Sequence, residues 1–212
     1  MKRVLLAAVL SALASAVYAQ GEAAATDPLV HGDATAGQAK APTCFACHGP
    51  QGNGAVNPEW PKLAAQGAPY IKAQLQAFKS GTRKNPVMLG MAAPLSDEDM
   101  ANLGAYFSQQ PAVPAVASPD SVAIAQPLFR GGDASRGIPA CAACHGPEAL
   151  GNPAAAFPRL AGQNVGYTVN QLKAYRAGER GSQGKGVMMQ AIAAKLTDTE
   201  IQALASYVAG IQ

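Results

Sequence analysis

The sequence lacks three features, and each absence excludes a class of protein. Its charges nearly balance, because 16 basic and 13 acidic residues give a formal net charge of only +3. That is too little to indicate nucleic acid or an anionic membrane as a partner. Beyond the N-terminus, no apolar run reaches the roughly 20 residues that a membrane-spanning helix needs. No stretch alternates apolar and polar residues for long enough to predict a β-strand.

The N-terminus has the features of a secretory signal peptide. Lys2 and Arg3 form a short basic region, residues 4–17 are apolar, and Val17 and Ala19 are small residues where signal peptidase reads them. The apolar run is too short to favour an uncleaved anchor. We therefore expect residues 1–19 to be removed near Ala19 and the mature chain to be exported to the periplasm.

The rest of the chain is organised as an internal repeat. Short motifs recur in the same order in both halves. Three prolines within 111–119 favour an extended connector. We therefore predict two homologous domains, 20–110 and 120–212, joined by a proline-rich linker, 111–119. The recurring motifs are Cys44-Phe45-Ala46-Cys47-His48 with Cys141-Ala142-Ala143-Cys144-His145, Pro61-Lys62-Leu63-Ala64 with Pro158-Arg159-Leu160-Ala161, and Leu95-Ser96-Asp97 with Leu196-Thr197-Asp198.

Both halves carry signals of amphipathic helices. Ser96 and Thr197 are residue types that cap helix N-termini, and acidic residues follow each of them. Beyond these caps, apolar residues recur every three or four positions, which predicts a helix face that packs into a core. We expect an all-α protein. The two apolar stripes are Met100, Leu103 and Phe107, and Ile201, Leu204 and Val208.

The Cys-x-x-Cys-His motif, present twice, is the attachment pattern of c-type haem. Residues i and i+3 lie on the same side of a helix, so two thiols can each form a thioether with one haem vinyl group. The next residue then carries its imidazole to the iron. We predict two covalently bound haem c groups. The thioether cysteines are Cys44, Cys47, Cys141 and Cys144, and the proximal ligands are His48 and His145.

Three other uses of four cysteines are less favoured. A zinc site could be built from all four thiols, but it would leave both neighbouring histidines unexplained. A thioredoxin-like pair needs one motif in a βαβ setting, and the sequence does not predict that setting. Two disulfides, the usual expectation for an exported chain, would make the repeated histidine accidental.

The second axial ligand of each iron is predicted to be methionine. Only His31 remains after the two motifs, so two bis-histidine haems cannot be built. His/Met ligation is the pattern of cytochromes c. Met88 and Met189 lie seven residues before the leucines of the third motif, so the repeat selects this pair. Met188 stays a competitor, whereas Met91 and Met100 align with isoleucines and are expected to pack.

Taken together, these motifs resemble those of the cytochrome c4 family over almost the whole mature chain. The resemblance implies two class I cytochrome c folds related by a pseudo-twofold axis, with His/Met ligation at both irons. It also implies that the carbonyl groups of Pro61 and Pro158 accept a hydrogen bond from the proximal imidazoles, which fixes those rings.

The expected function is that of a single-electron carrier, not an enzyme, because both axial positions of each iron would be filled. By resemblance, electrons would pass from a quinol-oxidising cytochrome bc complex, directly or through other carriers, to a terminal oxidase. Small-molecule substrates and nucleic acid are not expected as partners, while peripheral membrane association is compatible with the resemblance. Two alternatives stay open: an electron-accepting haem subunit of a periplasmic dehydrogenase, and, less favoured, a dihaem redox enzyme.

Overall fold

The structure, a computed structural model, describes residues 31–54 and 56–211. The predicted signal peptide and its cleavage position lie outside these residues. Within them the chain is helical, and its extended pairing is limited to two isolated bridges, Asp133 with Ile138 and Asn152 with Phe157. None of the helices described here is both long and apolar enough to cross a bilayer.

Within the part of the chain that the structure describes, each half contains five α-helices in the same arrangement. In the first half, α5 packs against α1 and α3, and in the second half α10 packs against α6 and α8. The first half contains α1 (Ala34–Lys40), α2 (Pro42–His48), α3 (Ala68–Lys79), α4 (Pro86–Ala92) and α5 (Asp97–Ser108). The second half contains α6 (Pro119–Gly131), α7 (Ala142–His145), α8 (Val165–Arg176), α9 (Gly186–Ala193) and α10 (Asp198–Gly210).

The predicted starts of the last helix in each half are confirmed. The Ser96 hydroxyl accepts from the Asp99 amide at 3.0 Å, and the Thr197 hydroxyl accepts from the Glu200 amide at 3.2 Å. Each acid also accepts from the amide of its capping residue, which completes a capping box at both sites. These reciprocal bonds satisfy amides that the first helical turn leaves unpaired.

The predicted apolar stripes form the two cores. Met100 and Phe107 on α5 and Ile201 on α10 are at most 1% exposed. The core of the second half is the larger, because α6 adds Leu128 and Phe129 to it. Domains of this size bury little apolar surface on their own, so each core gains from a large apolar cofactor.

An extended segment connects the halves and is bound to both. The Asn53 side chain accepts from the Val113 amide at 3.0 Å, and the Ala115 amide donates to the Ala209 carbonyl at 3.2 Å. The helix α6 begins at Pro119, the last residue of the predicted linker. The boundaries 110/111 and 119/120 stay predictions.

Candidate functional site

Both Cys-x-x-Cys-His motifs lie on short helices that place the thiols on one side. Cys44, Cys47 and His48 occupy the last turns of α2, and Cys141 is the N-cap of α7, whose last residue is His145. All four thiols are free and half-buried, so no disulfide forms among the described residues. Burial raises the pKa of the Cys44 and Cys141 thiols to about 11, with a smaller contribution from the neighbouring cysteine.

The structure also excludes the four-cysteine zinc site. No group of three or more His, Cys, Asp or Glu side chains is placed to hold a metal ion within residues 31–54 and 56–211. A structural zinc needs four such ligands around one point. The cysteines therefore belong to two separate sites, one in each half.

Each proximal imidazole is buried and held by a proline carbonyl. His48 Nδ1 donates to the Pro61 carbonyl at 2.8 Å, and His145 Nδ1 donates to the Pro158 carbonyl at 2.9 Å. Burial lowers the pKa of both imidazoles, although these hydrogen bonds oppose it. A lowered pKa favours the neutral imidazole, and with Nδ1 occupied, Nε2 is the nitrogen available to a metal. The bonds implied by the family resemblance are present.

The predicted methionine ligands lie on equivalent short helices. Met88 is in the first turn of α4, where its amide donates to the Asn85 side chain at 3.0 Å, and Met189 is on α9. Both side chains are partly buried, whereas Met188 is 46% exposed. Met100 is fully buried on α5, which confirms its expected place in the core. Met88 and Met189 remain predictions as iron ligands.

Two glutamines join the halves by binding main-chain atoms. Gln163 Oε1 accepts from the Lys62 amide at 2.7 Å, and its Nε2 donates to the Lys62 carbonyl at 3.0 Å. Gln66 binds the amide and carbonyl of Arg159 in the same way, at 2.9 and 3.0 Å. Both glutamine side chains are buried. Exchanging each residue for its equivalent in the other half converts one contact into the other, as a pseudo-twofold axis between two tandem cytochrome c domains requires.

Two arginines cross the same interface. Arg83 Nη2 donates to the Tyr167 phenol at 3.0 Å, and Arg180 Nη2 donates to the Tyr70 phenol at 2.8 Å. Neither guanidinium forms an ion pair with a carboxylate of the described residues. Desolvation would raise the pKa of Tyr167, but the charges of Arg83 and Arg180 outweigh it and lower that pKa to about 8.

The two guanidiniums share the same pair of carboxamide oxygens. Gln74 Oε1 accepts from Arg83 at 2.8 Å and from Arg180 at 3.2 Å. Gln171 Oε1 accepts from Arg180 at 2.6 Å and from Arg83 at 3.0 Å. Each carboxamide thus bridges one arginine of its own half and one of the other half.

Sequence reasoning missed this interface. It gave no role to the glutamines and arginines that form the interface. A signal was available, because polar residues recur at one constant spacing in both halves. The pairs are Lys62 and Arg159, Gln66 and Gln163, Tyr70 and Tyr167, Gln74 and Gln171, and Arg83 and Arg180.

Comparison with known proteins agrees with the geometry. A family model for cytochrome c matches residues 34–111 and again 136–212. The chain is 45% identical over 189 residues to cytochrome c4 of Azotobacter vinelandii, covering 85% of this chain and 90% of that protein. The structure of reduced recombinant cytochrome c4 from Pseudomonas stutzeri superposes with a TM-score of 0.82 at 43% identity, covering 86% of this chain and 100% of that chain.

A further relative has a different description. The chain is 37% identical over 212 residues to the thiosulfate dehydrogenase electron acceptor of Thiomonas intermedia, covering 99% of this chain and 91% of that protein. Similarity therefore extends both to cytochromes c4 and to a protein described as a thiosulfate dehydrogenase electron acceptor.

Proposed function

The chain belongs to the cytochrome c4 family, and we propose that it carries electrons in the periplasm from a quinol-oxidising cytochrome bc complex, directly or through other carriers, to a terminal oxidase. Membership of this family shows that the chain is a dihaem electron carrier with two covalent haem c groups. It exchanges electrons with partner proteins. The observation that supports this most directly is the repeated helical Cys-x-x-Cys-His turn, with each imidazole fixed by a proline carbonyl.

The proposal assigns a haem-binding role to eight side chains. Bound haem supplies a one-electron couple, and the protein sets its potential and access. The thiols would anchor each ring, and the imidazole Nε2 and a methionine sulfur would both bind its iron. An iron held by both groups would leave no coordination site for a small-molecule substrate. The thioether residues are Cys44, Cys47, Cys141 and Cys144, and the axial pairs are His48 with Met88 and His145 with Met189.

Export is part of the same proposal. Cleavage near Ala19 would release a mature protein of two units, 20–110 and 120–212, joined by 111–119. The intact mass of protein purified from the periplasmic fraction tests this step. The expected mass is that of a chain beginning near Gln20 plus two haems. A mass without added porphyrin would overturn the assignment.

The direction of electron flow is tested by rapid mixing. The oxidised protein is mixed with a purified cytochrome bc complex and quinol, and its haem absorbance is followed. Rapid reduction, followed by reoxidation with a terminal oxidase, is expected. If neither reaction proceeds at a rate useful for respiration, this route is wrong.

One observation favours a second function. The similarity to the thiosulfate dehydrogenase electron acceptor covers almost the whole chain. In this case, a dehydrogenase with thiosulfate would reduce the protein faster than the cytochrome bc complex does. A dihaem enzyme would instead need one iron with a labile ligand. High-spin ferric iron in the untreated protein would favour that class.

A further inference from the structure

The geometry points to a crossed anchor: each domain positions the methionine-bearing segment of the other domain through its interface tyrosine. Tyr167 of the second half would hold the segment of Met88, and Tyr70 of the first half would hold that of Met189. The inference rests on the proposed iron ligation by Met88 and Met189. It makes the two tyrosines positioning residues for ligands that belong to the opposite domain.

In the first half, the path from tyrosine to methionine is short. Tyr167 accepts from Arg83, whose own amide donates to the Ala77 carbonyl at 2.9 Å. Two residues later, Asn85 caps α4 and accepts from the Met88 amide at 3.0 Å. Arg83 also lies over the Phe78 ring at 4.4 Å. A displacement of Arg83 is therefore passed directly to the first turn of α4.

In the second half, the path from Tyr70 to Met189 runs through the side chain of Gln190 instead of a short stretch of main chain. Arg180 lies nine residues before Met189, and the loop 181–185 and the first residue of α9 between them contain three glycines. Gln190, which follows Met189, spans this gap because its Nε2 donates to the Arg180 carbonyl at 2.8 Å. Tyr70 in turn accepts from the Arg180 guanidinium at 2.8 Å.

The charge of the cluster explains why the tyrosines matter. The two guanidiniums bridge the same carboxamide oxygens of Gln74 and Gln171, so two positive charges lie close together. They repel each other. Hydrogen bonds to neutral oxygens and contacts with the Phe78 and Tyr175 rings hold them, and each phenol ties one arginine to the opposite domain.

The test is Tyr167→Phe in the haem-loaded protein. In the reduced state, each axial methionine gives its own methyl resonance, shifted far upfield by the haem ring current. Met88→Ala and Met189→Ala assign these two resonances. We expect Tyr167→Phe to shift or broaden the Met88 resonance and leave that of Met189 unchanged. Imidazole, which competes with methionine for ferric iron, should bind the first haem about tenfold more tightly, as expected for the loss of a hydrogen bond to a charged group.

A reciprocal variant in the first domain should affect the methionine of the second domain. Tyr70→Phe, in the first domain, should act on the Met189 resonance, with a smaller change in imidazole affinity because Gln190 still binds the Arg180 main chain. Arg83→Lys provides a second variant for the first haem, since a lysine keeps the charge but cannot form the same forked contacts. It should act on Met88.

The matched control is Tyr207→Phe, which removes a phenol–arginine contact inside one domain, that of Tyr207 with Arg130 at 3.5 Å. It should move neither resonance. The inference is overturned if Tyr167→Phe affects both haems equally or the second haem alone, which would indicate general loosening or an uncrossed path. It is also overturned if nothing changes while Met88→Ala removes its resonance. If Met88→Ala leaves both resonances in place, the ligand assignment itself fails.

Discussion

The two methionine-bearing helices are equivalent in position, but they are stabilised differently. In the first half, α4 begins three residues after Arg83 and is capped by the Asn85 side chain. In the second half, α9 follows the glycine-containing loop 181–185 and has no side-chain cap. Its N-terminus is held instead by longer-range contacts, since Lys185 binds the Ala155 carbonyl and lies 5.0 Å from the Phe157 ring.

This difference shows that one ligand position can be fixed by two means. The Asn85 cap and the nearby Arg83, which Tyr167 holds from the other half, fix α4, so its position depends on few contacts. Several contacts from other parts of the second half fix α9. We expect Met88 to respond strongly to the loss of any one of its few supporting contacts, and Met189 to respond less to the loss of one of several.

The largest effect should come from removing the proposed ligands one at a time. Met88→Ala and Met189→Ala should each abolish one of two sulfur-to-iron charge-transfer bands and lower one reduction potential by on the order of 0.1 V or more, since axial ligands tune haem potentials over ~0.8 V. A redox titration followed by absorbance measures both. Met188→Leu is the matched control, and loss of a band in this variant would assign the ligand to Met188.

A large effect on stability should follow from opening either core. Phe107→Ala in the first half and Phe129→Ala in the second should each lower the free energy of unfolding by about 3–5 kcal/mol, because both rings are fully buried. Denaturant unfolding followed at each haem measures where the loss occurs. Equal loss of structure at both haems from either variant would contradict two separate cores.

A moderate effect is expected from removing the cap that only the first half has. Asn85→Ala should cost about 1 kcal/mol, since an N-cap side chain satisfies an otherwise unpaired amide. The loss should appear as tighter imidazole binding at the first haem. Lys84→Ala, an exposed neighbour, is the control. An equal change at the second haem would argue against local control of Met88.

The smallest effect concerns ion pairs that differ between the halves. Arg136 binds both Glu200 and Asp133 in the second half, whereas the described residues of the first half form the single pair Lys40 with Asp99. The hydrogen bond from Arg136, helped by the Thr197 amide, lowers the pKa of Glu200 to about 2. Because this pKa is lowered on folding, the stabilisation is present above pH ~4.5 and disappears as the pH falls towards 2.

Glu200→Gln should therefore lower the free energy of unfolding at pH 7 by less than about 1 kcal/mol, as is usual for surface pairs. The difference from the unsubstituted protein should shrink between pH 4.5 and 2. Thermal unfolding of both proteins across this range measures it. A difference that persists unchanged at pH 2 would show that the carboxylate charge is not its source.

The sequence predicted the features that depend on neighbours along the chain. The caps at Ser96 and Thr197 and the apolar stripes behind them use helical spacing alone, and the haem attachment motifs lie within five residues. The helix α6 was not predicted. Pro127 lies inside it and lacks the amide that would donate to the carbonyl four residues earlier, so α6 forms in spite of a residue that disfavours a helix interior.

The interface could not be predicted in the same way. Arg83 and Tyr167, or Gln66 and Arg159, are far apart in the chain and meet only when two folded halves pack together. Spacing can reveal that such residues recur in both halves. It cannot reveal that Gln66 of one half contacts Arg159 of the other. Local patterns therefore predicted each candidate haem site, and the contacts between the sites required coordinates.

The glutamine contacts affect which amino-acid substitutions the two halves can accept during evolution. Gln66 and Gln163 recognise amide and carbonyl groups, which every residue except proline offers, so the side chains at 62 and 159 can drift while the halves still recognise each other. Lysine at one position and arginine at the other already illustrate this tolerance. Hybrid proteins that combine one half of this chain with the other half of a relative should therefore keep these main-chain contacts wherever the two glutamines are retained.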